Sequence, residues 1–411
     1  MKKIILIITL SLLLFLIILY FYKENNNENN IINTKTNIMT KLNTKEDIEI
    51  FKHNNPDIQV NITYDYSDNK KDTIIYQSIK ENNDINKFSN LDITISLGTK
   101  EQLKIDNINE LGNVPIMMYH GIVNTKSNDT KYTGGNVDKD GYTRTTESFI
   151  EDLEFYYNNN YRMIRLKDYI KGQIYVEYGK SPIILTFDDG NENNIKVTGL
   201  DEQGNIIIDP NSAVGILESF KKKYPDYNIT ATFFINDTLF NQKEYNEQIL
   251  NWLVDNNYDI GNHTKGHIDI KKEDADTVNH AIGYVYNQLD DIIPNKYVNI
   301  IALPFGSPYT KDNPNFKYVL KSTYNNKEYI TESALRVGWE PELSPYHKDF
   351  DPTFLKRCRA YDNNGEDFDI KMVYSNLEST KYISDGNPDT IVIPCNSEEN
   401  INKNYKNVKC Y

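Results

Sequence analysis

The stretch Asp188-Asp189-Gly190 places two adjacent carboxylates at the end of the apolar run Ile183-Ile184-Leu185, which reads as a short buried strand with an abrupt stop. Neighbouring anions at a strand exit repel each other unless something positive lies beside them. His263 and His267, two of only six histidines in the 411-residue chain, lie four positions apart at the end of the strand candidate "YDIGNHT". Residues i and i+4 of one helical turn share a face, so both imidazoles can reach one ion. An aspartate and two histidines suit a divalent metal and leave a coordination position open for water. The metal neutralises one carboxylate of the pair and lowers the pKa of its water to about 7, and the other carboxylate is left as a general base.

These residues need a scaffold that brings distant strand ends together. From Val114 onward, "VPIMMYHGI", "PIILTFDDG", "ITATFFIN", "YDIGNHT", "NIIALPFG" and "SALRVGW" read as strands, alternating with helical stretches such as "TTESFIEDLEFYYNN" and "EYNEQILNWLVDNN". That alternation predicts an α/β fold with a parallel sheet, open or closed into a barrel. Reactive groups then gather at the carboxyl ends of the strands. Asp188-Asp189-Gly190, the His263–His267 stretch and Pro304-Phe305-Gly306 all fall at such ends. Between Gly190 and Ile229 an insertion contains "KVTGLDEQGNIIIDP", a hairpin turning at Gln203-Gly204-Asn205.

A net charge of −14 excludes a basic groove for nucleic acid. Lys2-Lys3 precede the uncharged apolar run Ile4–Tyr22, long enough to span a hydrocarbon core of about 30 Å. No small-residue cleavage site follows it, which favours a transmembrane signal-anchor over residues 1–22 against a cleaved signal peptide. The lysines put the N-terminus inside and the rest of the chain outside a cell membrane crossed once. Residues 23–40 are Asn-rich and read as a flexible linker. Residues 41–99 offer one capped helix and three short strands, a small α+β module. Of three cysteines, Cys395 and Cys410 are candidates to pair, leaving Cys358 free; three unpaired thiols is the alternative.

"LTFDDG", "GNHTKGH" and "ALPFG" resemble the first three motifs of the polysaccharide deacetylase family, the NodB-homology domain of carbohydrate esterase family four. "VPIMMYHGI" and "ATFFIN" resemble strands of the same family, and residues 112–411 are assigned to that domain. The resemblance implies a distorted (β/α) barrel that uses a divalent metal, zinc in most members, to remove acetyl groups from N-acetylated sugars. It also implies roles: Asp188 as the catalytic base, Asp189, His263 and His267 as metal ligands, and Thr264 as a brace for the loop between the histidines. Phe305 would donate its backbone N–H to the oxyanion, and Pro304 would help to bind substrate. Where the family opens its third motif with an arginine that orients the base, this chain has Ala302; Arg336 is the expected replacement, with Trp339 lining the pocket for the acetyl methyl. The family's late histidine, which protonates the leaving amine, has no counterpart after Tyr361, so His120 is the expected acid, with His347 a second candidate and water or the protonated base as alternatives.

Residues 41–99 resemble a PASTA domain of extracellular wall proteins through "YDYSD", "IIYQS" and "ITISLG". The expectation is a membrane-anchored, extracytoplasmic hydrolase of amide bonds acting on an N-acetylated cell-wall glycan, peptidoglycan. An O-acetyl esterase with the same site and a non-catalytic wall-binding protein with a degenerate barrel are the alternatives.

Overall fold

Leu91, Ile93 and Ile95 alternate with Asp92, Thr94 and Ser96, and in a computed structural model this stretch forms strand β3 (Asn90–Ser96) with the three apolar side chains buried. The structure describes residues 38–124, 138, 142–362 and 369–411. The chain divides between Gln102 and Leu103 into two compact units. In the first, helix α1 (Lys45–Asn54) begins at a capping box: Thr44 Oγ1 accepts the Asp47 N–H and Asp47 Oδ2 accepts the Thr44 N–H. Such a cap stabilises a helix by ~1 kcal/mol. Ile48 and Phe51 of α1 are buried. Strand β1 (Gln59–Asp65) pairs parallel to β3, and β2 (Ile74–Gln77) pairs antiparallel on its other side. The expected helix and three strands are therefore all present. The apolar run Ile4–Tyr22 and the linker as far as residue 37 lie outside the described residues. Among the described residues no helix is long and apolar enough to cross a membrane.

The second unit starts with β4 (Ile116–Tyr119), β5 (Gly121–Val123), β6 (Thr143–Thr145), α2 (Thr146–Asn158), β7 (Tyr161–Met163) and β8 (Ser181–Phe187). The hairpin β9 (Val197–Leu200) and β10 (Ile206–Ile208) follows, then α3 (Ala213–Lys223), β11 (Thr232–Ile235), α4 (Asn246–Asp255) and β12 (Asp259–Asn262). Next come α5 (Ala275–Ile292), β13 (Ile300–Ala302), the hairpin β14 (Lys321–Tyr324) and β15 (Lys327–Ile330), and β16 (Ser333–Leu335). Two-residue strands β17 (Phe354–Leu355) and β18 (Cys358–Arg359), α6 (Ile370–Leu377), β19 (Ile391–Ile393) and β20 (Val408–Cys410) complete it.

The central sheet runs β17-β16-β13-β12-β11-β8-β4-β18, with β7 added to the start of β8, and every pairing in it is parallel. One short segment, Phe354–Arg359, joins its two ends: Phe354 and Leu355 pair with β16, and Cys358 and Arg359 pair with β4. The sheet is therefore curled, as the barrel reading expected. Both of its faces are covered. Met117, Tyr119, Leu185 and Phe187 pack with Phe149 and Leu153 of α2 and Leu217 of α3, whereas Ile116, Ile184, Ile300, Ala302 and Leu355 share a separate cluster. Burial on two faces explains why β4 and β8 read as unbroken apolar runs rather than alternating ones. Each such side chain contributes roughly 1.5–3 kcal/mol.

The insertion forms the hairpin expected of it, with Asp201 Oδ1 accepting the N–H groups of Gln203 and Asn205 at the turn. Cys395, two residues beyond β19, forms a disulfide with Cys410 of β20, and Cys358 is a buried free thiol.

Candidate metal and catalytic site

Strand β8 ends in two consecutive left-handed residues, Asp189 (φ 74°) and Gly190 (φ 61°). The turn sends the two carboxylates in different directions. At Gly190 a Cβ would lie 2.2 Å from the Leu239 carbonyl oxygen, so only glycine fits. Asp189 Oδ1 stands 3.2 Å from His263 Nε2 and 3.5 Å from His267 Nε2, and among the described residues these three form a cluster whose geometry can hold a metal ion.

The histidines do not sit on one turn of α-helix, as their spacing suggested. His263 follows β12, and Thr264 (φ 63°), Gly266 (φ 68°) and His267 (φ 49°) are all left-handed. This strained loop, not a helical face, turns both rings toward Asp189. Its bracing comes from Asn262, whose Oδ1 accepts the Thr264 N–H at 2.8 Å, and from Asp237, whose Oδ1 accepts the Gly266 N–H at 2.9 Å. The Thr264 hydroxyl, expected to brace the loop, is buried and has no hydrogen-bond partner among the described residues.

The His263 ring makes a test of the metal. Its Nδ1 lies 2.8 Å from the Ala302 carbonyl oxygen, which requires a proton on Nδ1. In the neutral ring Nε2 is then a lone pair, buried without a hydrogen-bond partner and aimed at a carboxylate oxygen. A lone pair facing an anion is unfavourable, so either a proton on Nε2 or a metal ion must lie between them. The donor set fits a divalent metal, and the carbonyl behind Nδ1 is the outer-shell partner that metal-ligating histidines commonly have. Burial pushes the His263 pKa down, but Asp188 and Asp189 outweigh it and leave the ring more basic than usual.

Asp188 is almost wholly buried and is held in a fork. Arg357 Nη1 and Nη2 donate to its two oxygens at 2.7 and 2.6 Å. Arg357 is itself fully buried, and its Nε donates to the Arg336 carbonyl oxygen at 3.2 Å. Burial alone would raise the Asp188 pKa; Arg357 first and His263 next hold it below the ordinary carboxylate value. The side chain is thus an oriented carboxylate, ionised at neutral pH. Arg336, expected to take this role, instead directs Nη1 at the Val337 carbonyl oxygen, and sequence reasoning missed Arg357.

His120, at the end of β4, reaches the site as expected. Its Nε2 lies 4.0 Å from Asp188 Oδ2, and its Nδ1 is buried with no hydrogen-bond partner among the described residues. Burial lowers its pKa despite the opposing pull of both aspartates. The exposed ring of Phe305 meets His267 edge-on at 4.6 Å, and its φ of 58° is a further left-handed residue at the site. Such clustered strain is a feature of functional sites.

Three expected residues are placed elsewhere or differently. Pro304 is buried within its turn. Trp339 lines a cavity of about 320 Å³ with Asn113, Pro341, Val373 and Leu377, none of which belongs to the metal cluster. His347 accepts the Asp349 N–H and forms a backbone bridge with Ile401, outside the cluster.

Residues 176–323 match the family model described as polysaccharide deacetylase. The matched span contains Asp188, Asp189, His263, His267 and Phe305, but neither His120 nor Arg357. No curated protein matches the chain. Among solved structures, a deacetylase of Streptococcus pyogenes in complex with acetate is similar at 15% identity, with 60% of this chain and 92% of that chain covered and a TM-score of 0.42. A polysaccharide deacetylase of Bacillus cereus is similar at 18% identity, over 65% and 70% of the two chains, with a TM-score of 0.44. A de-N-acetylase of Aggregatibacter actinomycetemcomitans is similar at 12% identity, over 64% and 99%, with a TM-score of 0.41. The family match supports a hydrolase acting on amide bonds.

Proposed function

We propose that the chain is a metal-dependent N-deacetylase of an N-acetylated cell-wall glycan, peptidoglycan, with zinc as its metal. The observation that carries this reading is the division of labour between adjacent carboxylates. Asp189 faces two histidines, while Asp188 is held ionised by Arg357 a few ångströms away. A divalent ion held by Asp189, His263 and His267 would polarise the acetyl carbonyl and acidify a water molecule. Asp188 then takes the proton of the attacking water, and the Arg357 fork fixes its orientation through the step. The Phe305 backbone N–H, beside His267, donates to the oxygen that becomes negative. His120, 4.0 Å from Asp188, passes to the departing sugar nitrogen the proton that Asp188 has taken from water, the role left open by the absent late histidine.

The intact cluster favours this reading over a degenerate, purely binding barrel. In the same proposal the apolar run Ile4–Tyr22 anchors the chain, and the first unit is a PASTA-like spacer between membrane and wall. Acetate release distinguishes the amide and ester readings when a glycan carrying only N-acetyl groups is compared with one carrying only O-acetyl groups. Release from the first supports N-deacetylation; release from the second alone would replace it by the esterase.

A further inference from the structure

On an extended strand, residues two apart point to the same side. Arg357 points at Asp188, so Arg359, two positions nearer the carboxyl end of the same closing segment, faces the same side of the sheet. Its guanidinium carbon lies 5.6 Å from the centre of the Tyr142 ring, and that ring stands edge-on to His120 at 5.2 Å. His120 in turn is 4.0 Å from the base. Arg359 therefore lies at the rim of the reacting centre.

Of the arginines among the described residues, only Arg336 and Arg359 hold no carboxylate, and the Arg336 guanidinium donates to the Val337 carbonyl oxygen. Arg144, Arg162, Arg165 and Arg357 each hold a carboxylate, Asp152, Asp226, Asp259 and Asp188 respectively. Arg359 forms no ion pair among the described residues, and its Nε is buried without a hydrogen-bond partner. An unsatisfied buried donor is costly, the more so on a charged group. In a chain of net charge −14, carboxylates to pair with it are plentiful. The guanidinium fork matches a carboxylate or a phosphate in two parallel hydrogen bonds. Tyr142, 46% exposed, adds a flat face on which a sugar ring can lie.

From this we infer that Arg359 and Tyr142 form a subsite for an anionic oxygen group on the sugar that is deacetylated. The substrate class is then an N-acetylated sugar bearing a carboxylate or phosphate substituent, rather than a neutral N-acetylated chain. The inference rests on the deacetylase reading and narrows it.

The test compares kcat/KM of the metal-loaded full chain on four matched oligosaccharides. One is neutral, one carries an O-lactyl carboxylate on the reacting sugar, one has that carboxylate reduced to an alcohol, and one carries a sugar phosphate. A charge-assisted hydrogen bond predicts a preference of roughly 10- to 100-fold for a charged form over the reduced one. Whichever charged form is preferred identifies the anion. Arg359→Gln should bring that ratio close to one, mainly through KM, and Arg359→Lys should keep part of it. Equal rates on charged and reduced forms by the wild type, or an equal loss on all four substrates in Arg359→Gln, would overturn the inference. If no substrate releases acetate, the deacetylase reading fails by itself, and calorimetry decides the subsite. Tighter binding of a charged saccharide that Arg359→Gln abolishes sustains it, and equal binding of charged and reduced forms ends it.

Discussion

Arg357 and Asp188, 169 positions apart in the chain, are joined by two parallel hydrogen bonds of 2.7 and 2.6 Å, and both side chains are buried. The pair lies where the segment closing the sheet meets the strand that carries Asp188, the proposed base. Fold closure and the orientation of the base therefore depend on the same contact.

Removing the fork should damage both. Arg357→Met leaves Asp188 buried and unpaired, a loss of about 3–5 kcal/mol for a broken buried ion pair. Arg357→Lys keeps the charge without the two-pronged geometry, so it should fold better than Arg357→Met yet turn over more slowly than the wild type. Urea titration and kcat on each variant check this; wild-type turnover in Arg357→Lys would deny the fork an orienting role.

The two aspartates should separate cleanly. Asp188→Asn should keep bound metal while turnover falls by ~10²–10⁴, the range for losing a positioned general base. Asp189→Asn, His263→Ala and His267→Ala should instead lose metal with the fold retained. Metal analysis beside circular dichroism reads both, and stoichiometric metal in the two histidine variants would dismiss the ligand assignment.

His120 is best tested with leaving groups of different basicity. An amine must be protonated as it departs, whereas an activated aryl alkoxide leaves unaided. His120→Gln should therefore cut acetate release from an N-acetylated glycan by ~10²–10⁴ and slow hydrolysis of an activated aryl acetate far less. Equal losses on both substrates would assign His120 a structural part.

The Cys395–Cys410 disulfide closes a loop of 15 residues, for which chain entropy predicts a stabilisation of about 3 kcal/mol. Cys395→Ser with Cys410→Ser, or a reductant, should lower the melting temperature. Cys358 should resist alkylation until the chain unfolds, because it is fully buried and burial pushes its thiol pKa far up. An unchanged melting temperature would show that β19 and β20 hold without the bridge.

The candidate metal cluster was legible in the sequence because its members are chemically distinctive and lie at the ends of strand candidates. His120 was legible for the same reason. The loop geometry was not: a four-residue spacing suggests a helix, and only the left-handed Thr264, Gly266 and His267 bring the rings together. Arg357 was missed because β17 and β18 have two residues each, too short for a period-2 pattern to stand out, and because its partner is distant in sequence. A signal did exist in "LKRCRA", where two arginines alternate about Cys358 and so share one face of an extended segment. Arg336 stands in the longer and more apolar "SALRVGW", which reads more clearly as a strand and so draws attention away from Arg357.

The most direct test strips the chain with a chelator and titrates zinc back while acetate release from an N-acetylated glycan is followed. The account predicts negligible release without metal and full recovery at one equivalent, with no recovery in Asp189→Asn at the same zinc concentration. Undiminished acetate release from verified metal-free protein would contradict it.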